Sequence, residues 1–205
     1  MKSRHAGFPL VHRLLPILAA LLSGIFLWHS IRLCQGLIRP LLESTPEWLS
    51  LTLNAGIEEA LRLSLSIAAA VAIRSLGLAP SLSSLAVLSS FILANLENAD
   101  YLAVFPTLDA YWRLAYTMPI HMGAAALYAL STAPDDDRPA SRRAISIGLS
   151  CVVAWIWHSS FNLMAALASC NALPLMGGII NALILSTLVV ALAIRYGYWS
   201  IYAAR

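Results

Sequence analysis

The chain is 205 residues long, 60% apolar and only 11% charged, with a mean hydropathy of +0.76; a soluble domain carries about 25% charged residues to cover its surface. That balance excludes an ordinary soluble globule and predicts one integral membrane domain over 1–205, an all-α polytopic bundle of about six transmembrane helices. The formal net charge of +3 and pI of about 8.9 come from scattered arginines rather than a basic stripe interleaved with aromatics, which excludes nucleic acid as a partner and leaves the lipid bilayer as the surroundings.

Met1 to Arg13 is a basic stretch ahead of an apolar run over 14–33 that is long enough to span, so it reads as an uncleaved first helix rather than a removed signal peptide. Its end carries Trp28, His29 and Arg32, an interfacial flank. Proline, glycine and charge clusters then set off further apolar segments at 49–73, 82–104, 108–131, 144–168 and 175–195. The expected breaks are Arg39-Pro40 through Pro46, Gly77 to Pro80, Phe105-Pro106, the cytoplasmic run Asp135 to Arg143, and Asn171 to Pro174. A closing aromatic cluster, Tyr196, Tyr198, Trp199 and Tyr202, suits the membrane–water interface. With the N-terminus inside, nine Lys and Arg fall on inner segments and two, Arg32 and Arg39, on outer ones. The expected orientation is therefore N-in, C-in, as a multi-pass protein of the plasma membrane.

Besides flanking residues such as His29, Arg32, Asp100 and Asp109, seven acidic, basic or His residues fall inside apolar segments: Glu58, Glu59 and Arg62 in the second, Glu97 in the third, Arg113 and His121 in the fourth, and His158 in the fifth. Such a residue costs about 2.5–3.5 kcal/mol at the helix centre on insertion scales, so it normally faces a partner or a water-filled cavity. At about 1.5 Å of rise per residue, Glu58 lies roughly 10 Å below the outer boundary. Glu97 precedes the outer end of its segment, Arg113 sits near the start of the next, His121 is near mid-membrane, and His158 and Asn162 rise outward. Four helices thus bring polar groups to the outer half of the bilayer. Glu58 and Arg62 are spaced i, i+4, close enough to pair, and His158 and Asn162 repeat that spacing. A carboxylate, two imidazoles and an amide suffice for attack of water on an amide bond: the carboxylate takes a proton from water, and imidazole or amide N–H groups donate to the oxyanion.

The same residues carry a resemblance. Gly56-Ile57-Glu58-Glu59-Ala60-Leu61-Arg62, then Phe91 to Tyr101 with Glu97-Asn98, then Arg113 to His121, then His158-Ser-Ser-Phe-Asn162 resembles the four-motif series of the PrsW family, within the CPBP or CAAX-protease-like glutamic intramembrane proteases. The match covers segments two to five in order, about 49–168. It departs at Arg62, where PrsW proteins usually carry Lys; the charge is kept but the geometry is not. The resemblance implies a membrane-embedded endopeptidase in which Glu58 with His121 activates water and His158 with Asn162 stabilises the oxyanion. Glu59 and Arg62 would support them, and Glu97 with Asn98 forms the second motif, Glu97 pairing with Arg62 or Arg113. It further implies a membrane-anchored protein substrate, similar to an anti-sigma factor, cut near the outer leaflet.

Other chemistries are distinguished by their motifs. HExxH, GxGD and GxSG are all missing, and Ser159 and Ser160 adjoin His158 in a way that does not let helix neighbours face each other. No cofactor is expected, although two His with one or two Glu can also hold zinc with an open position for water. A non-catalytic scaffold or small transporter, with Glu58, Glu59 and Arg62 as internal ion pairs, is the reading from another class. Asp100, Asp109 and Arg113 read as solvated flank, Trp28 as an interfacial anchor, and Trp155 and Trp157 as packing residues. Cys34, Cys151 and Cys170 show no metal-binding spacing, and pairing of Cys34 with Cys170 is left open.

Overall fold

The computed structural model describes residues 9–75, 82–104, 108–131, 139–168 and six positions between 180 and 191. The described residues are all-helical, with five helices: α1 Pro9–Leu42, α2 Glu47–Ser75, α3 Leu82–Val104, α4 Leu108–Ser131 and α5 Ala140–Ala168. The third and fourth coincide with the predicted segments. The sixth segment and the terminal aromatic cluster fall almost wholly outside the described residues, as does Cys170.

α1 and α5 both run further than the segments expected for them. α1 continues through Pro40 to Leu42 rather than stopping near Leu33. Proline removes its own N–H from the ladder and crowds the carbonyl four residues back, yet the ladder resumes beyond it, with Glu43 N donating to Arg39 O at 3.0 Å. The helix stops where Thr45 turns its backbone N–H and its hydroxyl onto the carbonyl of Leu42, at 2.9 and 2.7 Å. Pro46 then offers its carbonyl to Ser50 N at 3.1 Å, and Glu47 places a carboxylate at the positive end of α2. α5 likewise starts earlier, so Arg142 and Arg143, assigned to a loop from sequence, lie in its first turns.

α2 is the central helix, packed against α1, α3 and α5, while α3 packs on α1 and α4, and α4 on α5. The apolar contacts are small and local. Leu27, Ile31 and Leu93 join α1 to α3, and Ala124, Tyr128 and Ala154 join α4 to α5. Gly56 and Gly123 let Trp155 and Trp157 of α5 lie against the α2 and α4 backbones, and Trp155 Nε1 donates to Thr52 O at 2.7 Å. Gly24 sets the α1–α3 distance, because a Cβ there would stand 2.6 Å from Ile92 Cβ and 2.8 Å from Ser89 O. Gly24→Ala is therefore expected to lose about 1–3 kcal/mol by overpacking. Gly36→Ala, where a Cβ would meet nothing within 4 Å, should gain up to about 1 kcal/mol of helix propensity. Thermal unfolding of the two variants in detergent checks the opposite signs.

The outside of this assembly is apolar. Leu33, Leu37 and Leu41 are exposed along α1, and Ile145, Leu149 and Ile156 along α5, while Glu59, Arg62 and His121 are fully or almost fully buried. Ile17–Leu42 and Ala140–Met164 are long and apolar enough to cross a membrane by length and composition.

Candidate active site

Five helices contribute to one buried polar network. Its anchor is Glu59 on α2, fully buried, whose carboxylate accepts from three donors. Arg62 donates one turn along the same helix. His158 of α5 lies with Nδ1 2.8 Å from Glu59 Oε1, and the Tyr128 hydroxyl of α4 donates to Oε2 at 2.8 Å. The i, i+4 pairing expected between Glu58 and Arg62 is thus replaced by an i, i+3 pair with Glu59. The reason is that Glu59 shares the sealed side of α2 with Arg62, whereas Glu58 turns towards a cavity.

Arg62 also donates from its second terminal nitrogen to His121 Nδ1 at 2.6 Å. A guanidinium has no lone pair to offer, so His121 Nδ1 accepts and the ring proton sits on Nε2. That Nε2 lies 2.6 Å from Glu97 Oε2 and donates to it. Of the two partners expected for Glu97, Arg62 or Arg113, Arg62 reaches it through the imidazole rather than directly. The Arg113 side chain lies outside the described residues. Next to Glu97, Asn98 accepts from the Thr117 hydroxyl at 2.6 Å, so two consecutive residues of α3 stitch it to α4 one turn apart.

Glu58 is buried but faces a cavity of about 270 Å³ between α1 and α3, whose walls include Glu97, Arg32, Gln35 and Asp100. Gln35 Nε2 donates to Glu58 Oε1 at 2.8 Å. The other oxygen, Oε2, stands 3.6 Å from His158 Nε2, too far for a direct hydrogen bond and suited to sharing one water. His158 is turned for this role: its Nδ1–H is held by Glu59, which leaves Nε2 aimed at Glu58. The His121 and His158 rings meet edge to face with centroids 5.5 Å apart. Glu58, Glu59, Arg62, Glu97, His121 and His158 are therefore gathered at one place. Asn162 is half-buried one turn beyond His158 on α5 and makes no hydrogen bond to this network among the described residues.

One atom each of Glu58, Glu97 and His121 lies within 4.8 Å of the others, close enough to hold a metal ion. The surroundings of His121 do not suit that use. A metal-bound imidazole normally donates its other N–H to a carboxylate or carbonyl, and here the other nitrogen faces the Arg62 guanidinium, which only donates.

Two network members escaped the sequence reading. Gln35 lies beyond the expected end of the first segment, and Tyr128 looks like any aromatic in an apolar helix. Asp100, read as solvated flank, is part-exposed and also accepts from Trp28 Nε1 at 3.1 Å and Arg32 at 2.7 Å. The Arg32 guanidinium also lies over the Trp28 ring. Trp28 thus does more than anchor an interface: with Arg32 it clasps α1 to α3 at the mouth of the cavity.

No protein-family model matches the chain, and no curated protein or solved structure matches it.

Proposed function

We propose that the chain is an intramembrane endopeptidase of PrsW type that cuts membrane-anchored protein substrates with glutamate-activated water. The observation that carries this is Glu58, a cavity-lining carboxylate with one oxygen held by Gln35 and the other 3.6 Å from an imidazole nitrogen that Glu59 orients. In this reading a water between Glu58 Oε2 and His158 Nε2 gives its proton to Glu58, and the hydroxide adds to the substrate carbonyl carbon. Asn162 donates to the oxyanion, and Glu58 returns the proton to the leaving amine as the C–N bond breaks. His121, with both ring nitrogens engaged, holds Glu97 and Arg62 in place. The apolar outside and polar inside of the helices support a membrane-embedded bundle; about six spans in the plasma membrane, N-in and C-in, a cut near the outer leaflet and a substrate resembling a membrane-bound anti-sigma factor complete the proposal.

A zinc-dependent form of the same protease is the second reading, favoured by the approach of Glu58, Glu97 and His121. Purified protein in lipid, incubated with a panel of single-span membrane proteins with and without a chelator, separates the two. We expect cleavage to change less than twofold on chelation. Loss of cleavage restored by added zinc would establish the metal form, and a panel left wholly intact would count against either protease reading.

A further inference from the structure

A second, larger cavity of about 540 Å³ lies between α1 and α2, with Arg32, Gln35, Gly36, Arg39, Ser50 and Asn54 among its walls. Its α2 wall belongs to a regular stripe. Ser50, Asn54 and Glu58 recur every four residues, which places them along one side of the helix. Across from them on α1, Trp28, Arg32, Gln35 and Arg39 recur at intervals of four, three and four, again one helical face. The two polar faces converge on the hydrogen bond from Gln35 to Glu58, and Arg32 and Gln35 line both cavities. Immediately beside the cleft the character inverts: Leu33, Leu37 and Leu41, on the other side of α1, are 64–73% exposed.

Polar groups on two apolar helices are stabilised when they face water. A volume of 540 Å³ holds a connected group of waters at about 30 Å³ each. The drop from Ser50 to Glu58 is about 12 Å at helical rise. We propose that this cleft is the hydration channel of the site, carrying water from the α1–α2 turn to Glu58, and that Gln35 is the gate where it meets the inner cavity. The channel and the α1–α3 mouth then divide the work: water arrives between α1 and α2, and the substrate segment arrives past the clasp of Trp28, Arg32 and Asp100. That division rests on the hydrolase reading, whereas the hydration of the cleft stands independently of it.

Two adjacent residues test it. In a background with Cys34, Cys151 and Cys170 replaced by Ser, Gly36→Cys places a thiol in the cleft at a position that accepts a side chain freely, and Leu37→Cys places one on the apolar outside. In lipid nanodiscs, a charged methanethiosulfonate reagent should label Gly36→Cys at least tenfold faster than Leu37→Cys, with Asn54→Cys labelled at a rate near that of Gly36→Cys. Equal rates at 36 and 37 would overturn the proposal. Gly36→Trp, which plugs the cleft, should lower labelling of Glu58→Cys at least fivefold, whereas Val104→Trp at the α1–α3 mouth should leave it within twofold; the reverse pattern would overturn it too. Where wild-type protein cleaves, Gly36→Trp should reduce kcat with KM unchanged within twofold. A wild type that cleaves nothing would defeat the hydrolase reading while the labelling rates still decide the channel.

Discussion

Glu58→Gln is expected to lower substrate cleavage by at least about 100-fold, the scale set by loss of a positioned general base, while the melting temperature stays within a few degrees of wild type. The substitution is nearly isosteric. Its amide oxygen can still accept from Gln35 Nε2, now 2.8 Å from Oε1, and its amide nitrogen would face His158 Nε2, now 3.6 Å from Oε2. Nothing buried loses its partner, yet the carboxylate that serves as the base in this reading is gone. The informative comparison is Glu59→Gln, one residue away. Glu59 accepts from Arg62, His158 and Tyr128 at once, and an amide nitrogen in place of one oxygen sets donor against donor in a sealed site. That variant should unfold at clearly lower temperature. Cleavage in lipid and thermal unfolding in detergent, measured on both variants, separate catalysis from support. A Glu58→Gln protein retaining more than a tenth of wild-type cleavage would end the glutamic reading, and so would one as unstable as Glu59→Gln.

The sequence exposes the charged members of this network because charge in an apolar helix is conspicuous. Glu58, Glu59, Arg62, Glu97, His121 and His158 each interrupt a hydrophobic run, and helix periodicity already places several on common faces. Which carboxylate meets which cation was not legible. Residues 58 and 59 are both within reach of Arg62, at i, i+4 and i, i+3, and only the packing of α4 and α5 decides between them by bringing Tyr128 and His158 to Glu59. Neutral members were harder still. Gln35 carries no charge and follows Trp28 and Arg32, which resemble an interfacial helix end but face Asp100 in mid-helix. A polar repeat at four-residue spacing, Ser50, Asn54 and Glu58, was present in the sequence as the trace of the cleft. It becomes meaningful only once α1 supplies the opposite wall. The helix ends at Leu42 and Ala140 were obscured by a proline that the ladder tolerates and by arginines that resemble a loop.

The fully buried Arg62 offers the largest stability effect. Its guanidinium joins Glu59 to His121, so Arg62→Met leaves a carboxylate in the interior with only Tyr128 and His158 as donors. Breaking a buried ion pair from one side costs about 3–5 kcal/mol, which for a chain of this size lowers the melting temperature by roughly 10 °C. Arg62→Lys should fall between wild type and Arg62→Met, because an ammonium on a flexible stem can meet Glu59 or His121 but does not span both as the planar fork does. The double variant Glu59→Met, Arg62→Met removes both charges and should recover part of the lost stability, because an apolar pair can replace a buried ion pair at little cost while Tyr128, His158 and His121 lose their partners. Cleavage should not recover with it. His158 loses the carboxylate that holds its Nδ1–H, and with it the orientation that aims Nε2 at Glu58. Recovery of stability without recovery of activity would mark Glu59 as a positioning residue for His158. A double variant that regains both would reduce the pair to packing and shift the burden of the chemistry onto Glu58 alone.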